Sequence, residues 1–227
     1  QERLSAKRVS AIAAEIRKAD DHAHPIAVHK LSGLSFKEFA EDPNIDQFAI
    51  QYNVSSPDKL HAGMVKAFRD AEGRYNLNMS ELARHGTGRT ARLNSWAAAM
   101  GGAYVMILRM DIAGTAKSDL EDCGRLVRFF ESTDFHRMTP HDELAAADTQ
   151  YVLANPGHGY IAYSSKRTGK LGLKKMTAGT YDLVWLDCAT GKRVKQPAVK
   201  VAPGDRSWAP PPGVGKELVL YLRLARR

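Results

Sequence analysis

Apolar positions along the first half of the chain switch repeatedly between a helical and an extended period. Ser5 is placed to cap a helix in which Val9, Ile12, Ala13 and Ile16 recur at helical spacing, running out near Asp20. His24-Pro25 then forces extended backbone, and Ile26-Ala27-Val28 is a short apolar run of the buried parallel-strand type, ending at His29-Lys30. Phe36 and Phe39 predict a short helix closed by Pro43, and residues 46–51 (DQFAIQ) a second strand. Ser56 caps the next helix, Pro57 takes its first position, Leu60, Met64, Phe68 and Ala71 line one face, and Gly73 closes it. Residues 74–79 (RYNLNM) predict a third strand, followed by Ser80-Glu81. Beyond a Gly-rich loop at 84–89, a helix around Trp96 and Met100 reaches Gly101-Gly102, and residues 103–108 (AYVMIL) predict a fourth strand. Ser118 and Glu121 form a capping box for a last helix carrying Leu120, Cys123, Val127 and Phe130.

Strands separated by helices, with short loops and no hairpin signals, predict a parallel sheet, and four such units make half of a (β/α)8 barrel. From Gln150 the rhythm changes. Segments 151–154, 160–163, 171–173, 181–186, 199–201 and 217–222 are short strands separated by Gly, Pro, Asn and Asp clusters, with a hairpin-type turn at 187–191 (DCATG). That pattern predicts a small antiparallel β-sandwich. The fold class expected is therefore α/β plus all-β: a half barrel over residues 1–145 and a sandwich over 146–227.

The composition of the 227 residues, 44% hydrophobic and 26% charged, excludes a disordered chain. No apolar run approaches the roughly 18–20 residues of a bilayer span, so no membrane association is expected. The net charge of +8 sits in the C-terminal third, which holds about fourteen Lys/Arg against five Asp/Glu from Ala146 onward. These cations are scattered beside predicted turns, which favours a solvated surface. A nucleic-acid surface would need them clustered with stacking aromatics, and Trp185 and Trp208 look more like sandwich residues. Cys123 and Cys188 fall in different predicted domains and are expected to be unpaired thiols. The first residue is Gln, so either a leader was removed or the sequence is a piece of something longer.

Reactive groups of parallel α/β barrels gather at the C-terminal ends of the strands. Those positions here are His29-Lys30, Gln51-Tyr52-Asn53, Asn78 with Ser80-Glu81, and residues 109–111. Carboxylate, amide and imidazole groups match sugar hydroxyls, and an aromatic such as Tyr52 suits the apolar face of a sugar ring. Glu81 is the natural carboxylate among them, although a first-turn acid serving a helix dipole is the alternative. His29 also fits a loop hydrogen bond, and Gln51 and Asn53 fit loop-closing amides. Arg92 and Trp96 read equally as a helix surface-and-core pair. The loop at 84–89 lacks Walker spacing, and His22 and His24 lack companion ligands, so no phosphate, metal or other cofactor site is expected.

Together, residues 16–29 (IRKADDHAHPIAVH), 46–53 (DQFAIQYN), 76–81 (NLNMSE), 92–106 (RLNSWAAAMGGAYVM), YIAYSS at 160–165 and 179–192 (GTYDLVWLDCATGK) resemble a bacterial group of (β/α)8 glycoside hydrolases. These are the DUF4038/DUF5060-like, apiosidase-like enzymes, which carry a C-terminal sandwich labelled collagen-binding. The resemblance spans nearly the whole chain. It implies that Glu81 ends barrel strand seven as the nucleophile, and that the general acid ends strand four, at or just before Gln1. Glu2 is the one carboxylate of this sequence that matches that place. His29, Gln51, Tyr52, Asn53 and Asn78 would line sugar subsites, while Arg84, His85 and Trp96 shape the loop around the carboxylate. The activity implied is hydrolysis of O-glycosidic bonds in plant or microbial polysaccharide, without a cofactor, by a secreted or periplasmic protein. The alternative is a non-catalytic carbohydrate-binding or assembly protein on a truncated barrel. A half barrel exposes its sheet edges, so a homo-oligomer or association with an N-terminal half is expected.

Overall fold

The computed structural model describes residues 4–30, 33–54, 56–82, 86–105 and 113–225. These fall into two compact units, residues 1–86 with 97–115 and residues 87–96 with 116–227. The boundary expected at residue 145 thus lies inside the second unit, because the helix before it packs with the antiparallel strands.

The first unit is an α/β layer. Helix α1 (Ala6–Ala19) is capped by Ser5, whose Oγ accepts the Arg8 N–H at 3.4 Å. Strand β1 (Ala27–Lys30), a short 3-10 turn (Lys37–Phe39) and β2 (Gln47–Gln51) follow. Next come α2 (Pro57–Ala71), β3 (Asn76–Glu81), α3 (Arg89–Met100) and β4 (Tyr104–Val105). Ser56 caps α2 and accepts the Lys59 N–H at 3.3 Å. Glu72, one residue before the expected Gly73, takes the first left-handed position after the helix, at φ 50°. The four strands form one parallel sheet in the order β1-β2-β3-β4.

Strand alternation gives this sheet two unlike faces. Val28, Phe48 and Leu77 stand side by side in register, with Ile50 beside Met79 one pleat further on. All five are buried with Leu60, Met64, Ala67 and Ala71 of α2 in a single core, where Phe36 stacks on Phe48 at 3.8 Å. His29, Gln47, Gln51, Asn76 and Asn78 share the opposite face with the two small residues Ala27 and Ala49. The strands therefore do not carry the continuous apolar runs of a parallel sheet covered on both sides.

The second unit takes in the start of α3 and helix α4 (Lys117–Glu131), followed by antiparallel strands. The expected capping box is not formed. The helix begins at Lys117 with Ala116 at the cap position, so Ser118 lies inside it. The strands are β5 (Thr139–Pro140), β6 (Ala145–Ala147), β7 (Tyr151–Asn155), β8 (Gly159–Ser164), β9 (Leu171–Met176), β10 (Gly179–Asp187), β11 (Arg193–Val201), β12 (Gly204–Trp208) and β13 (Leu218–Leu224). They make a six-stranded sheet in the order β11-β10-β13-β8-β7-β5 and a three-stranded sheet in the order β12-β9-β6. Leu171, Leu173 and Met176 of the small sheet share a core with Val152, Tyr160, Leu183, Trp185, Leu218, Leu220 and Leu222 of the large one. On the other face of the large sheet, Tyr163 stacks on Trp96 (5.4 Å, 7° between planes), and Trp96 packs against Phe129 and Phe130 of α4.

Strand β11 is an edge of the large sheet. It exposes Lys195 and Lys200, contains Pro197, and is interrupted by a register shift against β10 where Ala198 has φ 54°. The 187–191 turn is pinned by Asp187, which accepts N–H groups from Ala189 (2.9 Å), Thr190 (3.1 Å) and Gly215 (2.9 Å). Both cysteines are free and lie in this one unit, not in two as expected. Burial pushes the Cys188 thiol well above its ordinary pKa. Among the described residues no helix is long and apolar enough to cross a membrane.

Candidate functional site

Glu81 is the last residue of β3, at the C-terminal end of the parallel sheet. Simple alternation would send it to the same face as Met79, into the helix-side core. It does not go there, because the pairing slips by one residue. Ile50 lies opposite Met79, but Gln51 lies opposite Glu81, which leaves Ser80 as an extra residue in a bulge. The slip returns Glu81 to the face that carries Asn78 and Gln51. Ser80 Oγ donates to the Ile50 carbonyl at 3.2 Å, and the Tyr52 N–H donates to the Glu81 carbonyl at 3.1 Å, holding the offset from both sides.

The polar groups converge on the carboxylate. Gln51 Nε2 donates to Glu81 Oε1 at 3.1 Å, and His29 Nε2 stands 3.6 Å from Oε2. The Gln51 amide is thus the neighbour that donates to Glu81, with the His29 ring standing beyond hydrogen-bond distance on the other oxygen. Its side chain is 46% exposed and open to a ligand, whereas Gln51 is buried at 8%. Asn78 lies in register with Ala49, which in turn pairs with His29, so a small methyl group separates the imidazole from the amide. Gln51 Oε1 and Asn78 Oδ1 are buried acceptors without a donor among the described residues. Such an oxygen costs about 1–3 kcal/mol while it stays unmatched. Glu81 is the one carboxylate on this face among the described strand residues.

The structure brings together Glu81, Gln51, His29 and Asn78 of the residues singled out by sequence, with Asn53 exposed just beyond the end of β2. Two others are corrected. Tyr52 was expected to offer its ring to a sugar, but it follows Gln51 and so turns to the helix side. There it packs in the core against Gly63 of α2, where a Cβ would overlap the ring. Trp96 is 1% exposed within the second unit, its ring enclosed by Tyr163, Phe129 and Phe130, so it is a packing residue with no face for a ligand. Glu2, Arg84 and His85 lie outside the described residues. Sequence reasoning placed Ser80 at the strand end but missed the bulge it forms, which is a property of two paired strands. It also missed Gly63, although a lone Gly inside a helical pattern is a signal for close packing.

Two other features do not include Glu81. A cavity of about 250 Å³ lies on the helix side of the sheet, lined by Phe36, Phe48, Tyr75 and Leu77 among others, away from Glu81. In the second unit, Arg92 holds Glu217 through two hydrogen bonds (2.6 and 3.2 Å) and Asp122 through a third at 2.8 Å. Burial opposes the Arg92 charge, but these two carboxylates outweigh it and raise its pKa. This is a structural clasp joining α3, α4 and the residue before β13. Among the described residues no group of three His, Cys, Asp or Glu side chains is placed to hold a metal.

No family model and no curated protein matches the chain. Solved structures do. One glycoside hydrolase superposes with a TM-score of 0.65 at 13% identity, covering 95% of this chain and 60% of the other. A family 5 glycoside hydrolase from Bacteroides vulgatus gives 0.66 at 12% identity, covering 94% and 58%. A family 30 subfamily 8 xylanase, Xyn30A, from Clostridium acetobutylicum gives 0.54 at 12% identity, covering 98% and 61%. The chain thus has a glycoside-hydrolase-like fold and spans about 60% of the length of the structures it matches.

Proposed function

We propose that the chain is a glycoside-hydrolase-type, carbohydrate-active protein that hydrolyses O-glycosidic bonds of plant or microbial polysaccharide, with Glu81 as nucleophile. The observation that carries this reading is Glu81 itself: a half-exposed carboxylate at the C-terminal end of a parallel strand, held by Gln51 and facing His29 on a polar sheet face. In this reading the four parallel strands are half of a (β/α)8 barrel, and the second unit is the accompanying β-sandwich. The sheet ends at β1 and β4 among the described residues, which suits completion by further strands from a longer chain or a partner.

A retaining hydrolase needs two carboxyl groups about 5–5.5 Å apart. Glu81 would attack the anomeric carbon and form a glycosyl ester, while the second carboxyl group protonates the departing oxygen and then activates water. The His29 side chain, 36% exposed beside Glu81, offers a partner for sugar hydroxyls, while the oxygens of Gln51 and Asn78 are buried beneath it. The second carboxyl group must come from outside the described strands, Glu2 being the candidate within this sequence.

That requirement favours a second reading, a non-catalytic carbohydrate-binding or assembly protein, since one carboxylate alone does not complete the mechanism. A panel of aryl glycosides and polysaccharides, assayed with the parent chain and Glu81→Gln, separates the two. The enzyme reading expects turnover that falls by at least about 10³-fold in the variant with an unchanged circular dichroism spectrum. Glycan binding without turnover in the parent chain supports the second reading. Undiminished turnover by Glu81→Gln removes Glu81 from the chemistry.

A further inference from the structure

The bulge at Ser80 and the buried amide of Gln51 act on the same carboxylate from two directions. Ser80 sets the face on which Glu81 emerges, since the one-residue slip in pairing is what takes its side chain out of the helix-side core. Gln51 sets the rotamer, since its Nε2 reaches Oε1 at 3.1 Å from the directly opposite position on the neighbouring strand. A glutamate side chain at a strand end, 46% exposed, has three torsions to fix and few packing contacts to fix them. Gln51 is 8% exposed, so it is a far stiffer partner than the group it holds.

The unmatched oxygen of the same amide supports this view. Turned over, Gln51 would present its oxygen to the Glu81 carboxylate and lose the hydrogen bond. In the orientation observed, Oε1 stays without a donor while Nε2 reaches Glu81. The charge-assisted bond to Glu81 thus decides the orientation, being roughly twice as strong as a neutral one.

We propose that Gln51 is a positioning residue for Glu81, acting together with the Ser80 bulge, and that by engaging Oε1 it turns Oε2 toward His29. The bond leaves Oε2, on the His29 side, as the attacking atom. This rests on the reading of Glu81 as nucleophile, but the geometric part stands without it.

The test is carbodiimide labelling of carboxyl groups, read at Glu81 by peptide mass spectrometry, on the parent chain, Gln51→Met and Gln51→Asn. Gln51→Met keeps length and bulk but has no donor, and labelling of Glu81 should rise about threefold or more as the carboxylate is released. Gln51→Asn keeps the amide at shorter reach and should fall between. If the parent chain turns over a glycoside, Gln51→Met should lower kcat by about 10²-fold with KM within a factor of about two, the pattern of a misplaced reacting group. If Gln51→Met does not fold, Ser80→Ala, which removes the hydroxyl donating to Ile50, should give the same rise in labelling. Unchanged labelling in a folded Gln51→Met or in Ser80→Ala overturns the proposal. Absence of glycoside turnover in the parent chain counts against the nucleophile reading alone, because the labelling still decides the positioning.

Discussion

The parallel sheet and the six-stranded antiparallel sheet reverse the usual rule that parallel sheets are buried on both faces while antiparallel sheets can leave one face to water. In the antiparallel sheet, β13 buries Leu218, Leu220 and Leu222 on one side and Val219 and Tyr221 on the other, all at 4% exposure or less. In the parallel sheet, Val28, Phe48, Ile50, Leu77 and Met79 fill one side, but His29, Gln47, Gln51, Asn76 and Asn78 hold the other. The central strand of the antiparallel sheet spends both of its faces on packing. The parallel unit keeps five polar side chains on the face on which Glu81 emerges.

The comparison can be broken most forcefully at β13. Leu220→Ala should destabilise the antiparallel unit by about 2–5 kcal/mol, because the residue is fully buried between its neighbours and the cavity has nowhere to collapse. A urea-unfolding loss below about 1 kcal/mol would show that this core is less tightly packed than its burial implies.

A smaller effect is expected at the 187–191 turn. Burial alone would raise the Asp187 carboxyl pKa, but the N–H groups of Gly215, Thr190 and Ala189 outweigh it and hold the group below its ordinary 3.8. A carboxyl group lowered by folding stabilises the native state fully above its unfolded pKa, and the contribution disappears as pH falls through the folded value. Asp187→Asn should therefore cost about 1–3 kcal/mol at pH 7, and the gap to the parent should close as pH drops from about 4 downward. Urea titrations at neutral and acid pH measure it, and a gap that widens on acidification would reverse the assignment.

The smallest effect sharpens the contrast. Asn78→Leu removes an amide whose buried oxygen is unmatched, so it should leave stability within about 1 kcal/mol of the parent or raise it. Glycan affinity, measured by titration calorimetry, should fall in the same variant. A large loss of stability would mean that Asn78 is structural and that the polar face is not held for a ligand.

Local signals were the legible ones. Ser5 and the Ser56-Pro57 pair mark their helix starts correctly because a cap needs only the next turn of chain. The Ser118–Glu121 box misleads because the helix starts earlier, with the Asp119 and Leu120 N–H groups already bonded to the Ala116 carbonyl. Strands with continuous apolar runs, such as β8 and β13, were visible. Most of β11 was not, since Lys and Val alternate along it around Pro197, and β6 and β12 have little apolar pattern. At the site, strand ends were enough to pick out Glu81, Gln51 and His29. Tyr52 and Trp96 were misread because an aromatic in sequence does not reveal which side it faces, and that depends on Gly63 in one case and on Tyr163 in the other.

The exposed rim at β11 has a consequence for how copies of this chain can meet. An incoming strand would find two ammonium groups at Lys195 and Lys200, no amide proton at Pro197, and a kink at Ala198 that throws its own hydrogen-bonding groups out of step. Fibril-like growth by sheet extension is blocked along this border, so self-association must use some other part of the surface.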